Sequence, residues 1–134
     1  MLSTRNLALF GAALTAAAPP LARPEVLFRR LVSPSEFSGE LLKVDVRRQA
    51  LLGTLALPDG SGGMPQDVKL APDGRVFYVA DMVANGVWKI TGAPFRSIGF
   101  IPTGKGAHGL YVSRDSKVMY VSNRGEGSVS LSEA

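Results

Sequence analysis

The stretch Ala71-Pro72-Asp73-Gly74-Arg75-Val76-Phe77-Tyr78-Val79-Ala80-Asp81 returns forty-two residues later as Ser113-Arg114-Asp115-Ser116-Lys117-Val118-Met119-Tyr120-Val121-Ser122-Asn123. The agreement runs without a gap from Pro65 on Ala107 to Ile90 on Ser132, with Val68 on Leu110, Leu70 on Val112 and Val87 on Val129. Upstream, Gly53-Thr54-Leu55 matches Gly99-Phe100-Ile101 once a four-residue insertion is allowed between Leu57 and Gly63. Polar and turn positions are shared as well as apolar ones, which argues against chance agreement between two β-rich segments.

Each copy reads as short strands. Apolar bursts such as Val76-Phe77-Tyr78-Val79-Ala80, Gly86-Val87-Trp88-Lys89-Ile90 and Val118-Met119-Tyr120-Val121 are rich in β-branched and aromatic residues. Pro58-Asp59-Gly60, Pro72-Asp73-Gly74 and Asn85-Gly86 punctuate them, and no window after residue 40 keeps a helical period. In Pro-Asp-Gly the proline presets φ, and Asp and Gly suit the positions that want a cap and a positive φ. Val76–Ala80 is apolar on both faces, so it must be covered on both sides. Core packing is the expectation for Trp88 and Tyr78.

A unit of about 40–45 residues with four short strands is the signature of one β-propeller blade, so the fold class is all-β. Residues 66–101 supply a full four-stranded antiparallel blade, 108–132 supply three strands of the next, and 40–57 the last two of the preceding one. Val26–Ser33 matches poorly, leaving 23–37 as a linker or remnant strand before a partial propeller over 38–134. The expectation is about two and a quarter blades, an incomplete β-propeller, whereas rings have at least about four. Three remedies follow: a fragment of a longer propeller (favoured), self-association to complete a ring, or a stack with exposed ends.

These residues resemble the YVTN-repeat β-propellers, often called YncE-like. Residues Ala71–Asp81 and Ser113–Asn123 look like the family's "SPDG…YVTN" heart, and Val87-Trp88-Lys89-Ile90 and Phe100-Ile101-Pro102-Thr103-Gly104 its flanking strands. Leu42-Lys43-Val44-Asp45 is similar to the first flank, one blade earlier. The resemblance covers about residues 38–134 and implies an exported bacterial protein in a ring of about seven blades. The second copy departs from the family at Arg114 and Ser116, where Pro and Gly are favoured, so its turn is expected to be looser.

The 134 residues suffice for one domain, with 46% hydrophobic and 19% charged residues. Cysteine is absent, which excludes disulfides, thiolate metal sites and a cysteine nucleophile, and the single His108 leaves no room for a His-based metal site. Fifteen Gly and nine Pro argue against a helix bundle. The first 22 residues carry one basic residue, Arg5, then the apolar run Leu7–Ala18 and a small-residue exit. That layout is of a secretory signal, too short to span a bilayer, so the mature chain is expected in the periplasm or outside the cell without a transmembrane span.

Gln66 and His108 occupy equivalent places before the innermost strand of each blade, the end that faces the channel in propellers, with Asp67 in position to support His108. All three are ligand candidates, weighed against plain polar lining of a channel mouth. Asp81, Asn85, Asn123 and Glu126 follow the second strands and offer oxygens for Ca²⁺, although turn-forming Asp and Asn account for them equally well. Gly104-Lys105-Gly106 and Gly60-Ser61-Gly62-Gly63 superficially resemble phosphate loops, but neither leads from a strand into a helix. No catalytic motif or required cofactor is read. The expected function is a non-catalytic scaffold binding a protein or small molecule. The alternative is a lactonase-like hydrolase with an oxygen-bound divalent metal. A weaker third reading is DNA or polyanion binding, from the net charge of +4.

Overall fold

The Pro72-Asp73-Gly74 turn closes as its chemistry demands. Gly74 N–H reaches Ala71 O at 2.8 Å, Arg75 N–H reaches the Asp73 carboxylate at 3.0 Å, and Gly74 adopts φ 74°. The second copy keeps this frame instead of loosening it: Ser116 N–H bonds to Ser113 O at 2.9 Å and Lys117 N–H to Asp115 at 3.2 Å. Ser116 takes φ 57° to do so, a conformation in which glycine would be unstrained. Hydrogen bonds from Ser113 and from Lys117 N–H also hold the Asp115 carboxyl below its usual range.

A computed structural model describes residues 30–35, 37–58 and 63–134. The leader lies outside the described residues. The strands are β1 (Arg30–Ser35), β2 (Glu40–Asp45), β3 (Ala50–Ala56), β4 (Pro65–Leu70), β5 (Val76–Asp81), β6 (Gly86–Gly92), β7 (Phe95–Pro102), β8 (Ala107–Val112), β9 (Val118–Asn123) and β10 (Ser128–Glu133). They form three antiparallel sheets, β1-β2-β3, β4-β5-β6-β7 and β8-β9-β10.

Irregularities fix which strands correspond. The bulge between Lys43 and Val44 in the β2–β3 ladder recurs between Lys89 and Ile90 in β6–β7. Leu57 N–H bonds to Gly39 O at 3.0 Å, as Thr103 N–H bonds to Asn85 O at 3.0 Å. Gly39, Asn85 and Gly127 all adopt positive φ (66°, 56° and 69°) just before β2, β6 and β10. So β1 matches β5 and β9, and β3 matches β7. The first sheet holds the second, third and fourth strands of its blade. Arg30–Ser35, within the stretch read as linker or remnant, is a strand, which raises the total to two and a half blades.

The core lies between sheets. Alternation along β5 sends Phe77 and Val79 to the first sheet, where they meet Leu41, Leu57 and Ile90, with Trp88 packed beside them. Tyr78 and Ala80 face the third sheet and meet Val87, Ala107, Leu110, Met119 and Val121. Each fully buried aliphatic side chain contributes roughly 1.5–3 kcal/mol, so β5, buried on both faces, is the stabilising centre.

Tyr78 gives this core a pH dependence. Burial, then the negative charge of Asp73, raises its hydroxyl above the ordinary 10.0. The folded state therefore favours the neutral phenol. That contribution is complete below the unfolded pKa and is lost as pH rises through the higher folded one. We expect the thermal midpoint to drop above about pH 10, and to drop less in Tyr78→Phe. Parallel pH slopes for the two proteins would contradict this.

Candidate channel-mouth site

A β-bulge leaves one residue outside the ladder and re-aims its side chain. Strand β4 pairs Pro65 with Asp81 and then Asp67 with Ala80, leaving Gln66 out. Strand β8 pairs Ala107 with Asn123 and then Gly109 with Ser122, leaving His108 out. Gln66 and His108 therefore hold the same bulge position on the innermost strands of neighbouring sheets, which pack against each other. Both are half-buried, and the Gln66 Nε2 is shielded from solvent with no hydrogen-bond partner.

Asp67 does something other than support His108. Its Oδ2 accepts Leu110 N–H at 2.9 Å and its Oδ1 accepts Lys69 Nζ at 2.7 Å, so it stitches β4 to β8. Its counterpart on β8 is Gly109, whose N–H turns instead to Ser122 Oγ at 2.9 Å. A groove of about 330 Å³ opens beside this seam, lined by Asp67, Gly109, Leu110, Tyr111, Tyr120, Ser122 and Val129.

The oxygens considered for Ca²⁺ are divided between two turns, and most serve the chain itself. Buried Asp81 accepts N–H from Met64 (3.0 Å), Val83 (3.1 Å) and Ala84 (3.2 Å) on Oδ1 and from Trp88 Nε1 (3.1 Å) on Oδ2. Asn85 Oδ1 accepts Gly106 N–H at 2.8 Å. Asn123 Nδ2 donates to Ser128 Oγ at 2.9 Å and Ser130 Oγ at 2.8 Å, while its buried Oδ1 has no partner. Hydrogen bonds from Ser128 and from Lys105 N–H hold the Glu126 carboxyl below its usual range. No three of His, Cys, Asp and Glu form a metal-holding group among the described residues.

The Gly104-Lys105-Gly106 connection is likewise occupied. Gly104 N–H goes to Ser130 Oγ at 3.1 Å, Gly106 N–H to Asn85 and Lys105 N–H to Glu126, so its amides are spent on the fold. Gly60-Ser61-Gly62-Gly63 lies outside the described residues except for Gly63. Sequence reading missed Trp88 and Ser130 as partners of Asp81 and Asn123. Their signal is a paired change between the copies: Asp with Trp in one, Asn with Ser in the other, seven residues apart in each.

No family model and no curated protein matches the chain. Solved structures do. Hydrazine synthase of Kuenenia stuttgartiensis matches with a TM-score of 0.72 at 22% identity, over 79% of this chain and 30% of that one. A Bacteroides fragilis protein assigned as a 6-phosphogluconolactonase gives 0.70 at 19%, over 78% and 32%. The periplasmic gluconolactonase of Pseudomonas aeruginosa gives 0.68 at 20%, over 77% and 32%. The chain thus spans about a third of the length of each. Helices long and apolar enough to cross a membrane are absent among the described residues. Antiparallel sheets stacked face to face in repeating order, and matched to part of each of these chains, make the fold an incomplete β-propeller.

Proposed function

We propose that the chain is an exported, YVTN-type segment of a lactonase-like propeller wall that binds a sugar lactone or related ester at the channel mouth. The observation that carries this reading is the pair of equivalent bulges that take Gln66 and His108 out of their ladders at matching positions on two innermost strands that pack together. Two of the three similar structures named above bear lactonase names, which supports the substrate class. His108 is the only histidine and the candidate acid–base group. In hydrolysis its imidazole accepts a proton from the water that adds to the lactone carbonyl. It returns that proton to the ring oxygen as the C–O bond breaks, leaving a hydroxy acid. The described residues offer an oxygen-bound divalent metal no set of three converging His, Asp or Glu side chains, and the buried Asp81 carboxylate is committed to four N–H donors.

The test is hydrolysis of gluconolactone by the full chain, followed by acid release with and without added calcium. We expect calcium-independent turnover that falls at least about tenfold in His108→Ala, with binding retained. Equal rates in wild type and variant would sink the assignment. Saturable lactone binding without turnover would instead favour a non-catalytic binding scaffold. That second reading is favoured by the bonds of Asp67, which run to Lys69 and Leu110 and not to His108.

A further inference from the structure

The three sheets stand with their corresponding ends together. At one end Lys43 of β2 donates to Gly92 O beside the β6–β7 turn, and at the other Asn85 Oδ1 accepts Gly106 N–H at 2.8 Å. The strand registers put the turns at residues 46–49, 71–75, 93–94 and 113–117 at the first of these ends. Gln66 and His108 lie toward the opposite one. The turn end is neither of the broad faces by which sheets stack, so a further sheet on either side would leave it open. Its charge is one-sided. Arg47, Arg48, Arg75, Arg114 and Lys117 lie in these turns, Arg96 follows the β6–β7 turn, and all six are exposed. None of the six is in an ion pair among the described residues. The aspartates of the same turns bend back onto the backbone. Asp45 accepts N–H from Arg47 (3.0 Å) and Arg48 (3.1 Å), Asp73 from Arg75 (3.0 Å) and Asp115 from Lys117 (3.2 Å). Glu133 adds a fourth carboxylate at this end, and the cations still prevail. At the mouth end Lys105 and Arg124 are matched by Glu40 and Glu126.

We propose that this turn end is a docking surface for a bilayer rich in anionic phospholipid. Stacked sheets lie about 10 Å apart, so the turn tips spread their cations in a plane across three sheets. Guanidinium groups offer paired N–H donors to phosphate oxygens. Between the cations the tips are apolar: Val46 is 52% exposed, and Pro72, Ala93 and Pro94 are exposed as well. Cations interleaved with shallow apolar tips suit a headgroup layer, where charge attraction and buried apolar area add. A nucleic acid has no use for such tips. The turns carry no aromatic ring to stack on bases, and among the described residues no helix or strand runs past them to enter a groove. Docked this way, the chain holds the Gln66 and His108 end away from the lipid and open to solutes.

Co-sedimentation of the full chain with vesicles of phosphatidylcholine, alone or with roughly 40% phosphatidylglycerol, reads the contact. Binding is expected on the anionic vesicles only, and should fall by about tenfold or more between roughly 20 and 200 mM salt. Arg47→Gln with Arg48→Gln, and Arg75→Gln with Arg114→Gln, should each weaken it by about tenfold or more. Lys105→Gln with Arg124→Gln makes the same change of charge at the mouth end and should stay within about threefold. Circular dichroism verifies that the variants remain folded. No binding, or either turn pair leaving binding unchanged, overturns the proposal. So does equal binding to neutral vesicles, because the apolar run Leu7–Ala18 would then be holding the lipid. Equal losses from all three pairs overturn it too, since net charge and not this end would be acting. Release of the bound chain by duplex DNA at equal phosphate concentration would assign the surface to nucleic acid instead.

Discussion

Asp81→Ala is expected to cost about 3 kcal/mol or more, a large share of the roughly 5–15 kcal/mol that holds a domain folded. The Asp81 carboxylate is fully buried and is the acceptor for three backbone N–H groups and the Trp88 indole. Deleting it takes the acceptor from four part-buried hydrogen bonds at once, and bonds to a charged group are worth about 1.5–3 kcal/mol each. Asp81→Asn should cost less. Its amide oxygen still serves Met64, Val83 and Ala84, but its amide nitrogen then confronts the Trp88 N–H donor to donor. Urea unfolding followed by the fluorescence of Trp88, the single tryptophan, measures both. Pairing each variant with Trp88→Phe, which keeps an aromatic ring but removes the N–H, and following urea unfolding of these pairs by circular dichroism, isolates the indole bond. An Asp81→Ala protein within about 1 kcal/mol of wild type would contradict this account.

The second large effect is steric. A Cβ added at Gly86 would lie 2.6 Å from Ile101 O and 2.7 Å from Phe100 Cε2, with the Cζ of that ring nearer still. The carbonyl belongs to the backbone of β7, and the Phe100 ring packs on Trp88 at 4.4 Å between centroids, tilted by 50°. Neither neighbour can yield cheaply, so Gly86→Ala should destabilise by about 3 kcal/mol, the upper part of the overpacking range. Gly99→Ala in the facing strand is the control. Its new Cβ meets only the Lys89 side chain, no nearer than 3.6 Å, an ordinary contact, and its effect should stay within about 0.5 kcal/mol. The same urea assay reads both, and equal losses would place the cost in backbone propensity instead of contact.

Most of the architecture was legible because the repeat keeps both its spacing and its alternation. Phe77, Tyr78, Val79 and Ala80 cannot all be buried by one neighbour, and that alone implied a sheet between sheets. Strand β1 was harder to read. Its sequence Arg30-Leu31-Val32-Ser33-Pro34-Ser35 contains a proline and two serines and sits behind the insertion that shifts the period. The bulge positions of Gln66 and His108 were visible as an alignment column, but their departure from the ladder was not. The role of Asp81 was hidden because it depends on Met64, seventeen residues earlier and across a connection, offering its N–H. Asp67 was read as an aid to His108, when its bonds run to Leu110, forty-three residues on.

The contrast between Asp81 with Trp88 and Asn123 with Ser130 has a consequence for the history and engineering of such chains. At one locus the aspartate accepts a hydrogen bond from its companion, and at the other the asparagine donates one. A gene duplication begins with interchangeable modules, and this reversal means these two have ceased to be spare parts for each other. Grafting tryptophan opposite the asparagine nitrogen would set two givers face to face, whereas serine, which both gives and takes, could sit opposite either partner, so exchange between the modules is tolerated in one direction only.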